Sequence, residues 1–381
     1  MRINNFLKFL FFAITAFSNS EAQQLNSKGQ LSSWFIGNES KSIGNQAGIR
    51  YIPELSLQKS FKNDHLIDCE LSLNGYRIWE ASSLSNVNSD GKIKPYRMWL
   101  RFFSSQFEAR VGLQKINFGS AVLMRPLMWF DKIDPRDPLQ LTDGVYGLLL
   151  RYYFINNTNI WLWGLYGNEE NKGWEIFSSD KNSIEYGGRI QYPFFTGEVA
   201  FSYHCRKMDL SKGTVGSSIY SEKIVQENRF ALDGKWDIGI GLWFEGAIFH
   251  QNTQELLLNN QRIFTLGADY TFGVGNGIHV LSEYFTVEAS EKIFQKGDGK
   301  KFSAFLADYP VGLIDQVFGI LYYDRKNKNL YRFLRWQRIY DNWSFHLIGF
   351  WNPNQNLLYQ IQTDKNFFSG KGFQVMVVFN H

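Results

Sequence analysis

The sequence predicts an all-β chain, a transmembrane antiparallel β-barrel of about eighteen strands with an in-folded constriction loop. Three observations predict it. Short segments of alternating polarity follow one another from about Ser33 to the C-terminus. Their connections alternate between short and long. No long apolar stretch follows Ala22. Only a closed barrel lets an alternating strand face lipid on one side and water on the other, because it leaves no unpaired backbone edge in hydrocarbon.

In chain order, residues 1–22 read as a cleavable signal peptide. Arg2 and Lys8 supply the positive start, Leu10, Phe11, Phe12, Ala13 and Ile14 the apolar centre, and Ser20 and Ala22 the small residues before a cut at Gln23. The apolar run is shorter than the roughly 20 residues of a spanning helix. No cysteine follows the cut, which argues against a lipid anchor. Residues 23–381 then form one domain, since no linker-like change of composition divides them. The net charge of +4 is too small to attract nucleic acid. An aromatic content of 17% with slightly negative mean hydropathy suits rings placed at two membrane interfaces. Cys69 and Cys205 both fall on the apolar phase of a strand; they make no disulfide framework, and a single bridge is left open.

The strand phase is plainest where charges separate apolar residues. Arg97, Trp99 and Arg101 oppose Met98, Leu100 and Phe102, and Glu108 and Arg110 oppose Phe107, Ala109 and Val111. Arg229, Asp233 and Lys235 oppose Phe230, Leu232 and Trp236; Thr265, Gly267 and Asp269 oppose Phe264, Leu266, Ala268 and Tyr270. Short connections are expected at 104–106, 156–158, 193–195, 236–239, 273–277, 309–313 and 340–343. Long ones are expected at 80–94, 119–143, 167–183, 206–226, 251–260 and 289–300, with 324–329 the shortest of that set. Short turns on the periplasmic side and long loops outside are the habit of bacterial barrels. With a first strand near residues 31–37, the segment at the C-terminus is the eighteenth and ends on the side where the chain began. Residues 357–363 are assigned to the last external hairpin; sixteen strands remain the alternative if the first hairpin is misplaced. The final strand alternates Phe373, Val375, Val377 and Phe379, and residues 373–379 resemble the signal read by the barrel-assembly machinery, although Asn380 and His381 follow the last aromatic.

Residues 111–147 read VGLQKINFGSAVLMRPLMWFDKIDPRDPLQLTDGVYG. A loop at 119–143 stiffened by Pro126, Pro135 and Pro138 and carrying Leu123, Met124, Leu127, Met128, Trp129 and Phe130 needs burial, and the barrel mouth is the economical place. The order Gly-Leu-Gln-Lys, aromatic-Gly, Arg-Pro-Leu-x-Trp-Phe-Asp and Asp-Pro-Arg-Asp-Pro resembles the alginate-export-type porins and Bacteroidota-type outer-membrane porins over this block. The resemblance implies an eighteen-stranded channel with in-folded loops and, in the alginate exporters, an arginine-rich lumen that passes an anionic polysaccharide.

The candidate lumen residues are Arg97, Arg101, Glu108, Arg110, Arg151, Arg229 and Glu245, with Asp233, Asp269 and Glu283 also facing inward. The candidate constriction residues are Arg125, Trp129, Asp131, Asp134, Arg136 and Asp137. The arginines admit two roles, a basic ladder that selects anions or ion pairs with Glu108 and the loop carboxylates that hold the loop in place. Asp131, Asp134, Asp137 and Asp143 lack the dense spacing of a calcium loop and are expected to cap turns or to pair with Arg125 and Arg136, so no metal is assigned. The six histidines are scattered, no nucleophile motif is present, and His250 near the rim has no serine two residues on; neither an enzyme nor a cofactor is expected. The expected function is passive passage of small hydrophilic or anionic solutes, saccharides among them, through a lumen narrowed by 119–143. The alternative is a loop-plugged barrel acting in partner binding, through loops such as 167–183 and 206–226, or in polysaccharide export. The expected partners are outer-membrane lipid, the barrel-assembly machinery and the solute, with the oligomeric state left open.

Overall fold

Inward charges such as Arg97 with Arg101 and Glu108 with Arg110 fix the register of their strands, because a slip by one residue would turn them into lipid. A computed structural model describes residues 23–39, 44–61, 64–83, 86–212, 222–253, 256, 258–354 and 367–381. The leader expected at 1–22 and the segment 357–363 lie outside the described residues. The strands are β1 (Gln23–Asn38), β2 (Asn45–Ser60), β3 (Leu66–Ser83), β4 (Asn86–Phe103), β5 (Phe107–Gln114), β6 (Val145–Tyr153), β7 (Asn159–Leu165), β8 (Glu185–Phe194) and β9 (Gly197–Asp209). They continue with β10 (Ile224–Asp237), β11 (Gly241–Gln251), β12 (Asn260–Phe272), β13 (Ile278–Ser290), β14 (Asp298–Pro310), β15 (Asp315–Asp324), β16 (Asn329–Ile339), β17 (Trp343–Trp351) and β18 (Lys371–Asn380). All 18 lie in one antiparallel sheet that closes on itself, with β1 paired to both β2 and β18. Among the described residues the only helical element is a short 3-10 turn at Leu210–Lys212.

Alternation follows the expected phase. On β12, Phe264 and Leu266 are 39% and 53% exposed while Thr265 between them is fully buried. The outward face is therefore apolar and the inward face polar, as a lipid-facing barrel requires. At the short-turn end the outward rings cluster, with Tyr152 on Phe154 (4.8 Å), Tyr270 on Phe272 (4.9 Å) and Trp343 on Phe379 (4.6 Å). Both cysteines are free; Cys69 packs on the outer face with Leu57, Ile67 and Leu100.

Three expected boundaries move. β1 begins at Gln23 and not near Leu31, since Gln23 already pairs with Lys59. The stretch 80–94 is a continuing hairpin and not a loop, with Glu80 opposite Asn88 and Arg77 opposite Gly91. The segment 206–226 is partly strand, because β9 runs to Asp209 and β10 starts at Ile224. The physical reason is shared. Where a hairpin runs beyond the lipid belt both faces meet water, so the backbone ladder continues after the hydropathy alternation has ended.

Candidate functional site

Residues 115–144 join β5 to β6 and lie against the inner wall of the barrel. Gly119 makes the entry at φ +95°, and a side chain there would collide with the Glu245 carboxylate. Ile116, Met124, Leu127, Trp129 and Phe130 are all at most 2% exposed. Phe118 stacks on Trp163 of β7 (5.8 Å between centroids), and Trp129 meets Phe249 of β11 edge-on (6.3 Å). Such a loop forms a second apolar core inside the sheet.

The wall holds the loop by its backbone. Glu283 on β13 accepts hydrogen bonds from the N–H groups of Val122 (2.7 Å), Leu123 (3.0 Å) and Met124 (2.7 Å). Glu245 on β11 accepts from Ala121 (2.7 Å) and Leu127 (3.3 Å). Thr265 donates to the Met124 carbonyl at 2.5 Å, and Trp243 donates to Glu283 at 3.2 Å. The loop carboxylates are used within the loop. Arg125 binds Asp131 (3.0 Å), Arg136 binds Asp134 (2.7 Å), and Asp137 accepts from the N–H groups of Leu139 and Leu141. The pairing expected for Arg125 and Arg136 is thus present. Arg136 also lies over Phe333 and Phe368, at 5.3 and 5.1 Å. Among the described residues no group of side chains could hold a metal ion.

The connection between β7 and β8, which includes the long stretch expected at 167–183, packs onto the first loop. Trp174 donates to the Arg125 carbonyl (2.8 Å) and stacks on Phe285 (4.9 Å). Glu175 binds Arg229 (2.6 Å) and Arg206 (3.2 Å), which both bind Glu227. Beside this network Arg189 holds Asp233 at 2.6 Å. The half of the interior walled by β7–β13 is therefore filled with rings and closed ion pairs.

The wall from β16 through β18 and β1 to β3 differs. Seven buried atoms on it have no hydrogen-bond partner: Arg335 Nε, His346 Nδ1, Gln374 Oε1, Ser32 Oγ, Arg50 Nε, Ser72 Oγ and Asn74 Oδ1. Unpartnered atoms also occur on β5–β10, but there the arginines concerned are ion-paired through their other nitrogens. Among the described residues Arg50 and Arg335 form no ion pair; Arg50 lies between Trp34 (5.1 Å) and Tyr76 (5.8 Å), and Arg335 over Phe318 (4.4 Å). Where this wall ends, between β2–β4 and the loops, is a cleft of about 300 Å³. Arg50, Asn74, Tyr76 and Tyr96 line its wall side, and Lys132, Thr142, Asp143, Glu170 and Lys172 its loop side. Lys94 bridges to Asp143 at 2.5 Å, and an adjoining space of about 110 Å³ continues past Lys92 and Tyr146. Burial, then the neighbouring Lys172 ammonium, lowers the Lys132 pKa. Burial likewise raises that of Asp137 against the pull of its two N–H bonds, with Arg50 within electrostatic reach.

The candidate lumen residues all occupy inward positions, but they do different things. Arg101 forms a two-pronged pair with Asp68 (2.8 and 2.7 Å), while Arg110 and Arg151 share Glu108 (2.8 and 3.4 Å). Arg97 donates to the Tyr96 and Thr142 carbonyls. Two expectations are corrected: Arg229 and Glu245 are fully buried behind the loops and line no open space. Among the described residues no wall arginine pairs with Asp131, Asp134 or Asp137, the first two being taken by Arg125 and Arg136, whereas Arg206 and Arg229 on the wall do pair with Glu175 of the β7–β8 loop. Arg50, Asn74, Tyr76 and Glu283 in its anchoring role were not singled out by sequence. Arg50 sits in phase two residues before Ile52 on β2, a signal that was legible once that strand was assigned.

No protein-family model matches the chain, and no curated protein matches its sequence. Solved structures do match. OccAB2 of Acinetobacter baumannii is 9% identical and aligns over 94% of this chain and 98% of its own, with a TM-score of 0.57. OccD3 (OpdP) of Pseudomonas aeruginosa is 10% identical over 94% of this chain and 91% of its own, also at 0.57. Salmonella typhi OmpF, solved with daunomycin, is 12% identical over 94% and 97%, at 0.50. The likeness is one of fold: a closed antiparallel barrel of porin type.

Proposed function

We propose that the chain is an outer-membrane porin, delivered by a cleaved leader at 1–22, that passes small hydrophilic or anionic solutes by diffusion. The passage follows the β16–β3 wall, and the loop at 119–143 narrows the lumen by filling the opposite half. One observation carries this reading: the two halves of the interior are finished differently, one filled by the loops and their ion pairs and the other bordered by an open cleft in which Arg50 and Asn74 keep unpartnered atoms. Unpaired buried polar groups are costly in a dry interior, so such a wall is stable only against water or solute. Arg50, Lys132 and Lys172 outnumber the carboxylates free to answer them in the cleft, since Asp143 is engaged by Lys94. That balance favours anions and agrees with the resemblance to alginate-export-type porins, for which an acidic saccharide is the implied cargo.

Single-channel recording of the refolded protein under a salt gradient tests the reading. Discrete steps with an anion-selective reversal potential are expected. A folded barrel that stays silent, and conducts only once 119–143 is removed, would favour the second reading, a plugged barrel that opens for a partner or for polysaccharide export. The backbone bonds from Glu245 and Glu283 are the observation behind that alternative.

A further inference from the structure

On the outer surface, the long-connection end of β12–β16 carries a row of cations that the pore does not use. Arg262, Lys301 and Arg332 occupy outward positions, two residues beyond Phe264, two beyond Ser303 and two beyond Leu334 respectively. Arg325, at the tip of β15, turns outward as well: it donates to Ser303 (3.2 Å) and lies 5.6 Å from the Tyr284 ring. A two-residue step along a strand is about 7 Å, so these charges stand just past the edge of the apolar belt.

Among the described residues one carboxylate answers them. Glu288 binds Arg262 at 2.9 Å and reaches Lys301 only at 4.0 Å. Lys301 and Arg325 are adjacent across two strands, with the Arg325 N–H on the Lys301 carbonyl (2.9 Å). Like charges so placed repel and call for an anion between them. Lys326 and Asp298, nearer the tip, satisfy each other at 2.6 Å. The opposite face has no such row. The outward positions of β6–β8 carry no charged residue, and Tyr146, Leu148 and Tyr186 stand at the long-connection end.

We propose that the long-connection rim of β12–β16 binds the phosphate groups of an outer-leaflet glycolipid, with Lys301, Arg325 and Arg332 as its principal contacts and Tyr284 and Tyr323 against the sugar and upper acyl chains. The inference rests on the outer-membrane reading, which places the long connections outside. A lipid headgroup is the occupant because the cations lie on the barrel's lipid-facing surface directly above exposed Phe305, Leu321 and Leu334. One molecule on that surface meets both the charges and the apolar belt.

The test is lipid A binding to the detergent-purified full chain, followed by native mass spectrometry, with Lys301→Gln, Arg325→Gln and Arg332→Gln combined. Three neutralised cations should weaken binding roughly a hundredfold, with heat-modifiable migration on gels showing that the variant is still folded. Undiminished binding by the folded variant would overturn the proposal. So would equal binding of dephosphorylated lipid A, or full displacement by inorganic phosphate, which would mark an acyl surface or a free-anion site. Wild-type channel recordings separate the two readings. A conducting protein whose lipid A binding ignores the substitutions loses only this inference, whereas a protein that never forms a channel loses the porin reading.

Discussion

The two halves of the barrel interior are built from the same inward-facing strand positions and reach opposite ends. Along β7–β13, polar side chains meet the loops: Glu245 and Glu283 accept five backbone N–H groups, and Arg206, Arg229, Glu175 and Glu227 close on one another. Along β16–β3, Arg50, Arg335, Asn74 and Gln374 keep unpartnered atoms. Polarity of the wall therefore does not distinguish the two halves; whether the loops supply partners does.

The largest effect is expected from the loop anchor. Glu283→Ala with Glu245→Ala strands five backbone donors, four of them buried and each of those costing about 1–3 kcal/mol. The loop should leave the wall, and the unitary current in planar bilayers should rise severalfold and become noisy. Unchanged current from the folded double variant would mean that the apolar contacts of Met124, Leu127 and Trp129 hold the loop alone.

Next comes stability. Arg229→Ala leaves Glu175 and Glu227 sharing Arg206 alone in a buried site, a loss of about 3–5 kcal/mol that should lower the urea midpoint of the refolded barrel. Arg50→Ala removes a side chain that has ring contacts but no ion pair among the described residues and should cost no more than about 1 kcal/mol. Equal losses at the two sites would erase the distinction between the halves.

Selectivity separates paired charge from unpaired charge. Arg50→Gln and Lys132→Gln together should move the reversal potential toward cations. Arg101→Gln with Asp68→Asn deletes a closed pair and should leave it in place. A larger shift from the second combination would put the selecting charges at the short-turn end.

The smallest effect concerns pH. Asp137 is raised in the docked loop, mainly by burial, so the docked state binds its proton more tightly than the released state. Docking gains as pH falls through that raised value, and the cost of burying the carboxylate is fully present above it. Loop-dependent current noise should therefore grow as pH rises out of the carboxylate range, and Asp137→Asn should flatten the trend.

Much of the fold was legible in the sequence, because Arg97, Trp99 and Arg101 alternating with Met98, Leu100 and Phe102 report a two-faced strand directly. The in-folded loop was legible for a related reason: Leu123, Met124, Trp129 and Phe130 have no lipid face to occupy and must be buried inside. The anchoring by Glu245 and Glu283 was hidden, since they grip backbone N–H groups that every loop residue carries whatever its side chain. The cleft was hidden too. Its wall includes Asn74 and Tyr76 on a hairpin that outruns the hydropathy signal, and its openness depends on which partners the loops fail to bring. Trp174 and Glu175 looked like an external loop because their partners, Arg125 and Arg229, are distant in sequence.

Thiol accessibility in a conducting channel tests the central claim most directly. Asn74→Cys on the open wall and Thr265→Cys beneath the loop would each meet a charged methanethiosulfonate reagent during bilayer recording, with the unsubstituted protein controlling for Cys69 and Cys205. Stepwise loss of current at position 74 with none at position 265 is the predicted result. Block at position 265, or none at position 74, would place the passage on the other side of the barrel.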